Sequence, residues 1–118
     1  MREFETKKPA STYLYSVAFS EMLPEGATID DFDVSIAIYE ASDLQDPDVA
    51  TMLEGSASLN SGAVTVNEVE YPANTVLMQK IKGGIIGADY VLTFAPIFSD
   101  GEKPFFDVLL PVRAYEPR

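Results

Sequence analysis

The chain has 118 residues, 47% of them hydrophobic and 23% charged, a formal net charge of −11, and neither cysteine nor histidine. That is one domain's length of chain, able to bury roughly two-thirds of its unfolded surface and too apolar to stay disordered. Without Cys or His, disulfides, thiolate metal sites, cysteine nucleophiles and histidine acid–base work are excluded, and zinc, copper and haem lose their usual ligands.

The chain opens on Met1-Arg2-Glu3-Phe4-Glu5-Thr6-Lys7-Lys8, charged residues that lead into no apolar run. No signal peptide and no membrane span are expected, so the chain is read as made in the cytoplasm. Residues 1–10, ending at Pro9-Ala10, are predicted to be an N-terminal arm that orders only on docking. Ser11 to Ser20 alternates, with Tyr13, Tyr15, Val17 and Phe19 on one face, which predicts a half-buried strand. Leu23-Pro24-Glu25-Gly26 is a turn. A second strand is predicted over Thr28 to Glu40, with Val34, Ile36 and Ile38 facing inward.

Asp43 to Asp48 is a loop by composition, and Val49 to Leu53 reads equally as a strand or a single helical turn. Ser56 to Gly62 is small and polar and ends on a Ser61-Gly62 turn signal. Ala63 to Tyr71 and Thr75 to Lys82 are predicted as the next two strands, joined through Pro72-Ala73-Asn74. No stretch keeps a 3.6-residue period and no internal repeat is visible. About seven short strands separated by turn signals predict an all-β chain, an immunoglobulin-like antiparallel sandwich over residues 11–115 with a tail at 116–118.

The last hairpin allows a prediction of register. Tyr90, Leu92 and Phe94 share one face of the strand over 89–98, and Phe106, Val108, Leu110 and Val112 share one face of the last. Directly paired residues lie on the same side of a sheet. A two-residue Asp100-Gly101 turn would pair Phe94 with Asp107, mixing inner and outer positions. A three-residue Ser99-Asp100-Gly101 loop pairs Phe94 with Phe106, Leu92 with Val108 and Tyr90 with Leu110, with Gly101 at the left-handed position. The second register is the one predicted, because a one-residue slip turns a whole apolar face to water.

Charge is unevenly placed. Twelve carboxylates and no basic residue lie between Lys8 and Lys80. Phosphate binding needs clustered Lys and Arg, so nucleic acid is not an expected partner. A basic protein surface would suit the acidic segment, although a solvated face explains it as well. Asp43, Asp46 and Asp48 are therefore candidate partner contacts, together with Tyr115 near the C-terminus. Calcium also favours such oxygen clusters, but the EF-hand spacing, glycine and closing glutamate are missing here and around Asp30, Asp31 and Asp33. No metal site is expected.

Gly83-Gly84-x-x-Gly87 has the look of a phosphate loop, yet it lacks the Gly-Lys-Ser/Thr ending and is followed by a strand rather than a helix. It is read as a corner where the chain changes sheets, with Tyr90 placed to bond backbone there as a tyrosine corner. No nucleophile elbow, Ser-x-x-Lys or matched acid–base pair appears, so neither a catalytic nor a cofactor site is expected.

The order of these elements resembles small immunoglobulin-like virion proteins of tailed bacteriophages, of the fibre–tail adaptor type. The matching residues are Phe19-x-x-x-Leu23-x-x-Gly26-x-x-Ile29, Val64-x-Val66, the glycine corner with Tyr90-x-Leu92, Ser99-Asp100-Gly101, and Val108-Leu109-Leu110-Pro111-Val112. Together they span residues 12 to 113. The resemblance implies a non-enzymatic module, resident in the virion in several copies and docked onto tail, fibre or capsid proteins, with no cofactor. The alternatives are a capsid decoration protein, or a stand-alone protein- or carbohydrate-binding sandwich. The latter has tyrosines for contact but no tryptophan for sugar stacking.

Overall fold

The computed structural model describes residues 2–4, 7–9, 11–39, 46–66 and 68–113. Among these, the strands in chain order are β1 (Arg2–Glu3), β2 (Tyr13–Ala18), β3 (Ile29–Ile38), β4 (Leu53–Leu59), β5 (Val64–Val66), β6 (Val69–Tyr71), β7 (Val76–Ile81), β8 (Asp89–Phe98) and β9 (Phe106–Pro111), with a 3-10 turn at Val49–Met52 before β4. One sheet has the order β1-β9-β8-β3, a second β2-β7-β4, and β5-β6 is a separate hairpin. The fold is all-β. Setting aside β1 and the small hairpin, β2-β7-β4 and β3-β8-β9 are the B-E-D and C-F-G sheets of an immunoglobulin-like sandwich.

Two-residue periodicity makes these strands and aims them. β8 buries Tyr90, Leu92, Phe94, Pro96 and Phe98 in strict alternation, and β2 buries Val17 while leaving Leu14 in water. The inner faces of both sheets meet in one core that runs through Val17, Phe19, Val34, Leu77, Ile81, Leu92, Phe94 and Leu110. Phe19 and Phe98 lock the sheets edge to face, with ring centroids 6.5 Å apart.

The last hairpin takes the predicted register: Phe94 pairs with Phe106, Leu92 with Val108 and Tyr90 with Leu110. Phe98 N–H donates to the Glu102 carbonyl at 2.9 Å, closing a loop of Ser99, Asp100 and Gly101. Gly101 sits at φ 91°.

Two expectations need correction, for residues 1–10 and for Ala63 to Tyr71. Residues 1–10 are not a free arm where they are described: β1 pairs in parallel with β9, Arg2 opposite Val108, and Lys7 bridges to Val112. Phe4 supplies the reason, because its ring packs on Tyr15 at 4.6 Å and on Phe94 at 6.3 Å. The small polar stretch from Ser56 is strand as far as Leu59, the end of β4, and the chain bends at Ser61-Gly62; small polar residues suit β4 because it is an edge strand whose ladder breaks between Glu54 and Ser58. Ala63 to Tyr71 is not one strand but the β5-β6 hairpin, with Val66 paired to Val69 and Glu68 turned to φ 67°. Of the two readings open for Val49 to Leu53, the helical one holds through Met52 as the 3-10 turn, and Leu53 begins β4.

Candidate functional site

The densest polar construction among the described residues surrounds the glycine corner between β7 and β8. Here the chain leaves one sheet and enters the other, and Gly83, Gly84 and Gly87 all take positive φ, at 68°, 106° and 90°. At Gly84 the requirement is steric as well as torsional. A Cβ there would stand 2.9 Å from Val112 Cγ2 and 3.2 Å from Met52 Cε, inside van der Waals contact. Close approach of backbone to β9 is what the glycine provides.

Tyr90, fully buried, fastens this corner to a distant loop. Its hydroxyl accepts from Ile85 N–H at 3.0 Å and donates to Asp46 Oδ2 at 2.8 Å, 44 residues away. Burial pushes the phenol up to about 12; the Ile85 bond opposes the rise and the Asp46 carboxylate reinforces it. At neutral pH Tyr90 is therefore a neutral donor, neither base nor nucleophile. Asp46 spends its other oxygen on Asp48 N–H at 3.0 Å, turning the chain into the 3-10 turn.

Two further cations finish the corner. Lys7 is wholly buried, and its Nζ donates to the Gly83 and Lys8 carbonyls, each at 2.8 Å. With its ammonium out of water, burial lowers the Lys7 pKa. Arg113 donates to the Ala88 and Val112 carbonyls and to Asp89 Oδ1 at 2.8 Å, tying the strand after the corner to the end of β9. Lys82 and Glu54 pair at 3.1 Å over the top, half in solvent, where such pairs contribute little. A shallow recess of about 290 Å³ opens between Asp46, Thr51, Lys82 and Gly84.

Of the sequence-predicted residues, the structure brings together Gly83, Gly84, Gly87, Tyr90 and Asp46. Gly101 lies apart, at the loop between β8 and β9. Asp46, read as a candidate partner contact, faces inward to Tyr90, whereas Asp48 is exposed. Asp43 and Tyr115 lie outside the described residues. Among the described residues no three acidic side chains converge as a metal site, and no helix is long and apolar enough to cross a membrane.

Two polar residues escaped the sequence reading. Asn60 is buried and makes four bonds: its amide donates to the Gly62 and Pro72 carbonyls, and its Oδ1 accepts from Thr75 and Val76 N–H. Gln79 plugs the break in the β4 ladder, donating to the Glu54, Gly55 and Lys80 carbonyls. A signal for Gln79 was present, since it sits in the inward phase of β7 between Leu77 and Ile81. Asn60 offered none, because Asn-Ser-Gly reads as an ordinary turn. A second recess, about 300 Å³, lies beside Gln79 between β3 and β4.

No family model, curated protein or solved structure matches the chain.

Proposed function

We propose that this chain is a non-enzymatic structural module of a tailed-bacteriophage virion, a tail or fibre–tail adaptor that docks on other virion proteins. The carrying observation is where the buried polar chemistry goes. Lys7, Asn60, Thr75 and Gln79, the buried polar residues of the described chain, all spend their side chains on backbone groups of the chain itself. Tyr90 and Asp46 spend theirs on each other and on the adjoining backbone. Side chains committed in this way hold a shape, and what a partner meets is the outside of a rigid sandwich. The ordered motifs between Phe19 and Val112, similar to those of virion adaptor modules, supply the particle.

Mass spectrometry of gradient-purified particles from cells carrying this gene tests the reading. The chain is expected at a fixed stoichiometry to the tail or capsid proteins and resistant to a salt wash. Recovery only in the soluble fraction overturns the assignment.

A further inference from the structure

In the sandwich arrangement with strands A-B-E-D in one sheet, a first strand covers the edge of B. In this chain the first strand has gone to β9, so among the described residues β2 is left as an outer strand of β2-β7-β4. Its ladder to β7 runs unbroken from Tyr13–Ile81 to Ala18–Val76, with no bulge. Continuing the same register, Phe19 N–H donates to the Thr75 carbonyl. Hydrogen-bonded pairs alternate along an antiparallel ladder. Tyr13, Tyr15 and Val17 therefore bond inward to β7, while Leu14, Ser16 and Ala18 turn their N–H and C=O groups to the open side.

Exposed edges are normally blunted by charge, bulges or shortness. The other edges here follow that rule. β3 carries Asp30, Asp31 and Asp33 and shifts register between Ile29 and Asp31. β4 carries Glu54 and the break before Ser58. β1 is two residues long. β2 alone is six residues of Tyr-Leu-Tyr-Ser-Val-Ala, without charge, proline or glycine, and Leu14 is 57% exposed.

We propose that β2 pairs with β2 of a second copy of this chain, antiparallel about a two-fold axis at Ser16, joining two three-stranded sheets into one of six. Self-association is otherwise opposed, since each copy carries a net charge of −11, and β2, the uncharged one among the described edge strands of the two main sheets, is where two copies approach without like charges facing. The register is self-complementary. Centring on Ser16 sets Leu14 opposite Ala18 of the partner subunit, a large side chain against a small one. It also engages all three outward residues of each strand, giving six new backbone hydrogen bonds. At either end, the exposed Lys8, whose carbonyl accepts from Ser11 N–H, comes to the side where exposed Glu21 of the partner subunit enters. This pairing stands independently of the virion reading.

Sedimentation equilibrium decides it. The full chain is expected to pass from monomer to dimer as concentration rises to about 1 mM, where even a contact of millimolar Kd is substantially populated; a monomer throughout overturns the proposal. Ser16→Lys and Ser16→Glu each place like charges face to face at the axis and are expected to be folded monomers, while an equimolar mixture dimerises again. Persistent dimers in either variant, or folded variants that fail to rescue each other, overturn the register. Should either charged variant not fold, Ser16→Cys serves instead. Hydrogen-bonded partners have Cα atoms about 5.5 Å apart, within disulfide reach, and the chain has no other cysteine. Mild oxidation is expected to give a covalent dimer of unchanged melting behaviour, and its absence overturns the pairing.

Discussion

A buried polar side chain stands near each end of β7, Asn60 at its start and Tyr90 past its end, and the two anchors are built on opposite plans. At the start of the strand, Asn60 uses a neutral amide to make four bonds, all to backbone and all within 16 residues. Past its end, Tyr90 makes two bonds, one of them to a carboxylate 44 residues distant. The amide saturates its donors and acceptors locally and carries no charge at any pH. The phenol joins segments far apart in the chain, and its hold depends on keeping its proton. Local saturation gives strength; long reach gives connection at the cost of sensitivity to pH.

The strongest way to break this comparison is Asn60→Ala. It leaves the Thr75 and Val76 N–H groups, both buried, without an acceptor, and takes a donor from the Gly62 and Pro72 carbonyls, of which Pro72 keeps Thr75 Oγ1. Each unsatisfied buried donor costs on the order of 1–3 kcal/mol, so the loss is expected at about 3–5 kcal/mol. Against a total stability of about 5–15 kcal/mol, that is a large fraction of the fold. A urea denaturation midpoint displaced by less than the Tyr90→Phe change would reverse the ranking of the two anchors.

Next in size is the glycine that lets the Tyr90 corner close. Gly84→Ala must adopt φ 106° and displace Val112, which is wholly buried, from 2.9 Å. Backbone strain and overpacking together predict a loss of about 2–4 kcal/mol. Gly101→Ala is the control: its φ of 91° is similarly left-handed, but nothing lies within 4 Å of the added carbon. Strain alone predicts about 1 kcal/mol there. Equal melting temperatures for the two variants would mean that contact with Val112 contributes nothing.

The same contrast explains what the sequence made legible. The β8–β9 register follows from one rule, that paired residues share a face, applied to two strands that alternate cleanly from Tyr90 to Phe98 and from Phe106 to Leu110. Proximity in the chain did the rest. β4 was not recognised because its residues are small or polar on both faces: Gly55, Ser56, Ala57 and Ser58 become a strand only because Gln79 and β7 supply partners from elsewhere. The β5-β6 hairpin was read as one strand because Val64, Val66, Val69 and Tyr71 make the whole stretch strand-like. Lys7 is the extreme case. Nothing local marks it as buried, and its place is set by Phe4 packing against Tyr15 and by the Gly83 carbonyl. Tyr90 could be read as a corner, whereas its Asp46 partner could not, since 44 residues of chain separate them.

Smaller than the effect of Gly84→Ala, the loss of the Tyr90 hydroxyl is also the most discriminating. Tyr90→Phe removes the bonds to Ile85 and Asp46 while keeping the ring in the core, and is expected to cost about 1–2 kcal/mol at pH 7. Its signature is the pH dependence. The Tyr90 phenol has an ordinary value of 10.0 and is raised to about 12 by the fold, so the folded chain holds this proton more tightly than the unfolded one. The stability it contributes is fully present below pH 10 and is lost as pH rises from 10 towards 12. Other groups titrate nearby: Tyr15 is also raised, by burial and then by Tyr13, and loses stability in the same direction. Lys7 is lowered by burial, so its neutral form favours the fold and stability rises as pH climbs through its folded value towards 10.5. Both are shared by the two proteins and cancel in the difference. Denaturation midpoints of the wild type and Tyr90→Phe, measured from pH 7 to pH 12, are therefore expected to converge above pH 10. Parallel curves would mean that the phenolic proton plays no part in holding the corner, and that the two ends of β7 are fastened on the same pH-independent plan.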